Sequence, residues 1–78
     1  MRIIFTRHSR RRMRLYRISE EIVNLVLKKS VEINHIGDKK EAIATIKNFK
    51  YPLKVVFREF EDKIIIITVY PLKKGLKK

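Results

Sequence analysis

The densest apolar pattern in the chain lies near its C-terminal end. LKVVFREF (53–60) and IIIITVY (64–70) flank the pair Glu61-Asp62, and Pro52 and Pro71 bound the whole. β-Branched and aromatic residues favour strands, and a short polar break between two such runs predicts a hairpin. Four consecutive isoleucines are too many for a strand with one face in water. The second strand is therefore expected to be central and covered on much of both faces.

The rest of the chain divides into shorter elements. RIIFT (2–6) predicts a strand, and His8–Arg17 a helix with Met13 and Tyr16 as a thin apolar stripe. Ser19 has the character of an N-cap, with Glu20 and Glu21 where the helix dipole favours negative charge. Ile22 to Leu27 then give a second helix a broad apolar arc, closed by Lys28 and Lys29. VEINHI (31–36) alternates like a strand, Gly37-Asp38 supplies a turn, and AIATIKNF (42–49) predicts a further strand, with a short helix as the alternative. The LKKGLKK end, with residues 73–78 as its basic part, is expected to be mobile. The order strand, helix, helix, antiparallel meander predicts an α+β fold. The two helices would cover one face of a four- to five-stranded sheet.

At 78 residues the chain, 1–78, reads as one domain near the size where a single core just suffices. It has no cysteine, which is mildly favourable to a reducing compartment. Its longest apolar run is far short of the ~20 residues a spanning helix needs. The start, MRIIFTRHSRRR, has no apolar stretch long enough for a secretory signal, so the expectation is a cytoplasmic protein with no membrane partner. Richness in Ile, Lys, Arg and Glu without any Gln hints at a thermophilic source.

Charge changes the picture through its distribution. Residues 1–17 hold seven arginines and no acid, and 71–78 hold four lysines and no acid, so eleven of the twelve net positive charges lie at the two ends. Two single-sign ends flanking a balanced middle form a footprint for a polyanion. The expected contacts are Arg7, Arg10, Arg11, Arg12, Arg14, Lys73 and Lys74, with an RNA or a ribosome as the partner and an acidic protein as the alternative. Few aromatics interleave with these residues, so recognition by stacking has little support.

Candidates for chemistry are few. His8 lies three and four residues from Arg11 and Arg12, on one helix face, where an imidazole among arginines suits proton transfer from an RNA hydroxyl; capping or orienting the helix is its bland alternative. Phosphodiester cleavage by an internal hydroxyl needs positive charge at the phosphorus and groups that move two protons. Arg58 can supply the charge, and Tyr70, Lys54 or His8 the proton steps. Hairpin register decides whether they meet. A two-residue loop pairs Arg58 with Ile65 and turns Tyr70 to the other face. A three-residue loop pairs Lys54 with Tyr70 and unites all three. Both registers remain open. No P-loop, Rossmann fingerprint, nucleophile elbow or zinc spacing is present, and the scattered acids argue against a Mg²⁺-dependent nuclease, so no cofactor is expected.

Phe5-Thr6-x-His8, Arg12-Met13, Ile18-Ser19-Glu20-Glu21 and the closing Ile-Thr-Val-Tyr of 67–70 resemble, in order and spacing, the RelE/ParE toxin superfamily, in a small branch near the RelE and BrnT toxins. The resemblance covers nearly the whole chain. It implies a strand–helix–helix–antiparallel-sheet fold and a toxin of a type II toxin–antitoxin pair, a metal-independent messenger RNA endoribonuclease acting at the ribosome and held by an acidic antitoxin. Carried over by position, it implies roles for His8, Arg12, Arg58 and Tyr70. The branch carries Arg-Gly before the Ile-Ser, where this chain has Tyr16-Arg17. The superfamily also includes gyrase-directed toxins, and a non-catalytic RNA- or ribosome-binding module is the alternative outside it.

Overall fold

The computed structural model describes residues 2–30 and 32–73; of the end expected to be mobile, 72–78, only Leu72 and Lys73 fall within them, and of the predicted strand 31–36 all but Val31. Seven elements follow in order: β1 (Arg2–Phe5), α1 (Arg7–Tyr16), α2 (Glu20–Lys29), β2 (Glu32–Ile36), β3 (Lys39–Ala44), β4 (Leu53–Glu59) and β5 (Lys63–Pro71). The fold is α+β. The sheet has the order β1-β5-β4-β3-β2, in which β2 to β5 form an antiparallel meander and β1 joins β5 in parallel, so the sheet is mixed.

The helices start and stop where local chemistry dictates. Thr6 and Ser19 accept from the backbone N–H of Ser9 and Ile22, each satisfying a donor that the first helical turn leaves free. At the end of α1 Arg17 takes the left-handed conformation, φ 58°. Its N–H reaches the carbonyl of Arg14, while that of Ile18 reaches Met13 at 2.8 Å, the hydrogen-bond pair of a Schellman cap. Met13 and Ile18 are both in the core, supplying the apolar contact that accompanies such a cap. A tight turn between α1 and α2 thus forms with arginine in the position that favours glycine.

α1 packs on β5, and α2 on β3 and β4. Between them lies a core built on Val23, Val26, Leu53, Val55, Ile66 and Val69, all with no exposed surface. Leu53, Val55 and Phe57 of β4 alternate onto this face, so Lys54, Val56 and Arg58 alternate onto the other, open face.

Three expectations need correction. The third strand occupies 39–44, not 42–49. Gly37, with φ 61°, makes a two-residue turn that pairs Ile36 directly with Lys39, drawing Lys39 to Glu41 into the ladder, and Thr45 to Phe49 leave it. β5 is interior to the sheet but not central, and its core face is the more fully covered: Ile66 and Val69 are buried, whereas Ile65 and Ile67 are half-buried. The hairpin uses both registers in turn. Near its tip Arg58 pairs with Ile65 and Phe57 with Ile66; beyond a bulge at Ile67, Val56 pairs with Thr68 and Lys54 with Tyr70. Among the described residues no helix is long and apolar enough to cross a membrane.

Candidate functional site

The bulge decides what stands on the open face. Regular alternation from core-facing Ile66 would turn Thr68 and Tyr70 into the core. One extra residue at Ile67 reverses this and sets both on the side of Lys54. A band of polar groups then crosses the sheet. Lys54 Nζ lies 3.2 Å from Glu41 Oε2 on β3 and donates to Tyr70 Oη on β5 at 3.4 Å. His8, at the start of α1, brings Nε2 to 3.1 Å from Thr68 Oγ1. Arg12 follows His8 by one helical turn, on the same side of α1.

Three of the four expected catalytic residues, His8, Lys54 and Tyr70, therefore belong to one band. Arg58 shares their face but not their neighbourhood. It stands four residues from Lys54 along β4, ~13 Å at the rise of a strand, and its guanidinium meets Asp38 at 3.0 Å and the ring of Phe60. Its side chain is 43% exposed and that of Asp38 68%, so this is a surface pair that a stronger anion can replace.

Lys54 and Glu41 are different. Their side chains are only 17% and 14% exposed. Burial by itself would lower the lysine pKa, but the hydrogen bonds and charges of Glu41 and Tyr70 outweigh it and hold the ammonium above its usual value. Lys54 is thus a fixed positive charge and hydrogen-bond donor at neutral pH, unsuited to accept a proton.

The arginine run of α1 separates by helical angle. Arg10 turns towards α2, with Glu20 at 2.9 Å and its guanidinium over the Phe5 ring, so its charge is offset by a neighbouring carboxylate in a surface pair like that of Arg58. Arg7, Arg11 and Arg14, spaced four and three apart, form an exposed stripe, and half-buried Arg12 stands beside the His8 face. Lys73 is exposed just beyond β5, and Lys74 lies outside the described residues.

Two members of the band, Glu41 and Thr68, escaped the sequence reading. Thr68 is the sole hydroxyl besides Tyr70 in the 64–70 run, but only the bulge gives it a face. Glu41 fell outside the strand drawn at 42–49.

No curated protein and no solved structure matches the chain. Residues 5–71 match the family described as a domain of unknown function, DUF4258, and that span takes in every residue of the band, from His8 to Tyr70. The chain belongs to the DUF4258 family.

Proposed function

We propose that the chain is a RelE-like toxin of a type II toxin–antitoxin pair, cleaving messenger RNA at the ribosome without a metal ion. The observation that supports this reading is the polar band in which Lys54 contacts Tyr70 while His8 contacts Thr68, two residues away along β5, with exposed arginines on α1. The order strand, helix, helix, meander supports it, being the order that the resemblance to these toxins implies. In this chemistry the 2′-hydroxyl attacks the adjacent phosphorus, the bond to the 5′-oxygen breaks, and a 2′,3′-cyclic phosphate remains. Lys54 stabilises charge on the phosphorane, His8 takes the hydroxyl proton, and Tyr70 orients the phosphate or returns a proton to the leaving oxygen. Arg58 and Arg12 bind neighbouring phosphates.

Messenger RNA is incubated with the protein in EDTA, with and without ribosomes, and cyclic-phosphate ends are mapped. Cleavage is expected to fall ~10²-fold in Lys54→Met, the scale for losing one preorganised charge stabiliser, and less in Tyr70→Phe. RNA affinity should hold, since the arginine stripe supplies most phosphate contacts. Absence of cleavage in both conditions would refute the proposal.

One observation favours a non-catalytic RNA- or ribosome-binding module instead: Glu41 already neutralises Lys54. That reading expects intact binding and no cleavage. In the toxin reading the charged ends are covered by an acidic, partly disordered antitoxin segment that folds on the chain. Co-expression with an acidic neighbour that yields no complex at low salt would exclude that partner.

A further inference from the structure

The start of α1 is moored to β5 by two hydrogen bonds and braced by two more within the helix start. Thr6 donates its N–H to the Ile66 carbonyl and its hydroxyl to that of Ile67, both at 3.2 Å. Ser9, fully buried, donates its N–H to Thr6 Oγ1 at 3.0 Å and its hydroxyl to the Thr6 carbonyl at 2.8 Å. His8 sits between these two anchored residues, so its backbone is fixed and only ring orientation remains free. The ring is exposed, and the desolvation that forces buried polar groups to find partners does not apply to it. Its one partner among the described residues is nonetheless Thr68, through Nε2. Thr68 is within reach only because the bulge at Ile67 re-aims it, and the same carbonyl of Ile67 receives the Thr6 hydroxyl. Bulge, helix start and imidazole are thus one connected unit.

We propose that Thr68 is the positioning residue for His8, holding the ring by Nε2 so that Nδ1 is presented to a ligand on the open face. Its use in catalysis rests on the RNA-cleaving function proposed above; the contact itself does not. A threonine hydroxyl can donate or accept, so it serves either neutral tautomer but not a rotated ring.

The test is ¹⁵N NMR of the imidazoles. The chain has two histidines, and His35, exposed on β2 with no ring hydrogen bond among the described residues, is an internal reference. The wild-type His8 ring nitrogens should differ from those of His35. Thr68→Val should bring them to His35-like values, Thr68→Ser should keep them, and neither should move Tm. Identical His8 shifts in wild type and Thr68→Val would overturn the proposal, as would Thr68→Ser behaving like Thr68→Val. In the cleavage assay Thr68→Val should lower kcat by up to ~10²-fold with KM unchanged, the scale of a misplaced catalytic group, and Thr68→Ser should restore it. A wild type that fails to cleave removes the RNA-cleaving function and leaves the NMR result to decide the contact.

Discussion

Replacing Glu41 by Gln keeps the shape of the side chain and removes its charge, leaving the Lys54 ammonium without a counter-charge. Exposed ion pairs are worth ~0–1 kcal/mol, and breaking a buried one costs ~3–5 kcal/mol. With side chains 17% and 14% exposed, this pair falls between those limits, so Glu41→Gln should cost ~1–3 kcal/mol. For a domain of this length each kcal/mol moves Tm by ~4–8 °C, so the fall should be between ~4 and ~24 °C by circular dichroism. Lys54→Met in the Glu41→Gln background should recover much of the loss, because it removes the uncompensated charge. The alkaline limb gives an independent reading. A lysine whose folded pKa is raised adds stability that is complete below its unfolded value and lost as pH climbs through the folded one. The difference between wild type and Glu41→Gln should therefore hold through neutral pH and shrink above ~10.4, the unperturbed lysine value. A Glu41→Gln protein that melts within ~2 °C of wild type would refute the argument, since even ~1 kcal/mol moves Tm further than that.

Arg17→Gly should stabilise by ~0.5–1 kcal/mol, because glycine accepts φ 58° without the clash an L-residue meets; a lower Tm would mean that the arginine side chain holds the turn. Ile66→Ala, in the core, should cost ~2–5 kcal/mol in urea unfolding, and Ile67→Ala less than half as much; the reverse order would misplace the bulge. Replacing both Arg11 and Arg14 with Ala should leave folding intact and reduce the salt slope of RNA binding by roughly one unit per lost phosphate contact. Arg10→Ala should change that slope least, since Arg10 faces Glu20.

The start of α2, the turn at Gly37 and the strand-forming runs were legible because each depends on a few neighbouring residues. Ser19 with Glu20 and Glu21 marks a helix start from sequence alone, and the structure begins α2 there. β3 was misdrawn because Lys39, Lys40 and Glu41 have poor strand character. Two of them meet opposite charges that come from β4: Lys40 reaches Glu59 and Glu41 reaches Lys54. Of residues 42–49, apolar enough to suggest one strand, only 42–44 join β3, and the rest leave the ladder and turn at Asn48, with φ 76°. The parallel pairing of β1 with β5 joins residues some sixty positions apart, and no local signal encodes it.

The candidate site divides in the same way. Sequence determined the chemistry available: an imidazole among arginines, a lysine and an arginine on one strand face, a tyrosine at the end of the last strand. It could not decide which of these meet. Ile64 to Ile67 are four identical side chains, so they carry no period from which a register could be read, and either loop length fits them equally well. Tertiary packing decided it. Seating Ile66 opposite Phe57 and Val69 opposite Val55 in the core requires one residue more on β5 than on β4 between those pairs, and that residue is Ile67. Both registers therefore coexist in one hairpin, the tip keeping Arg58 with Ile65 and the far end uniting Lys54 with Tyr70, because burying apolar side chains outweighs an unbroken ladder.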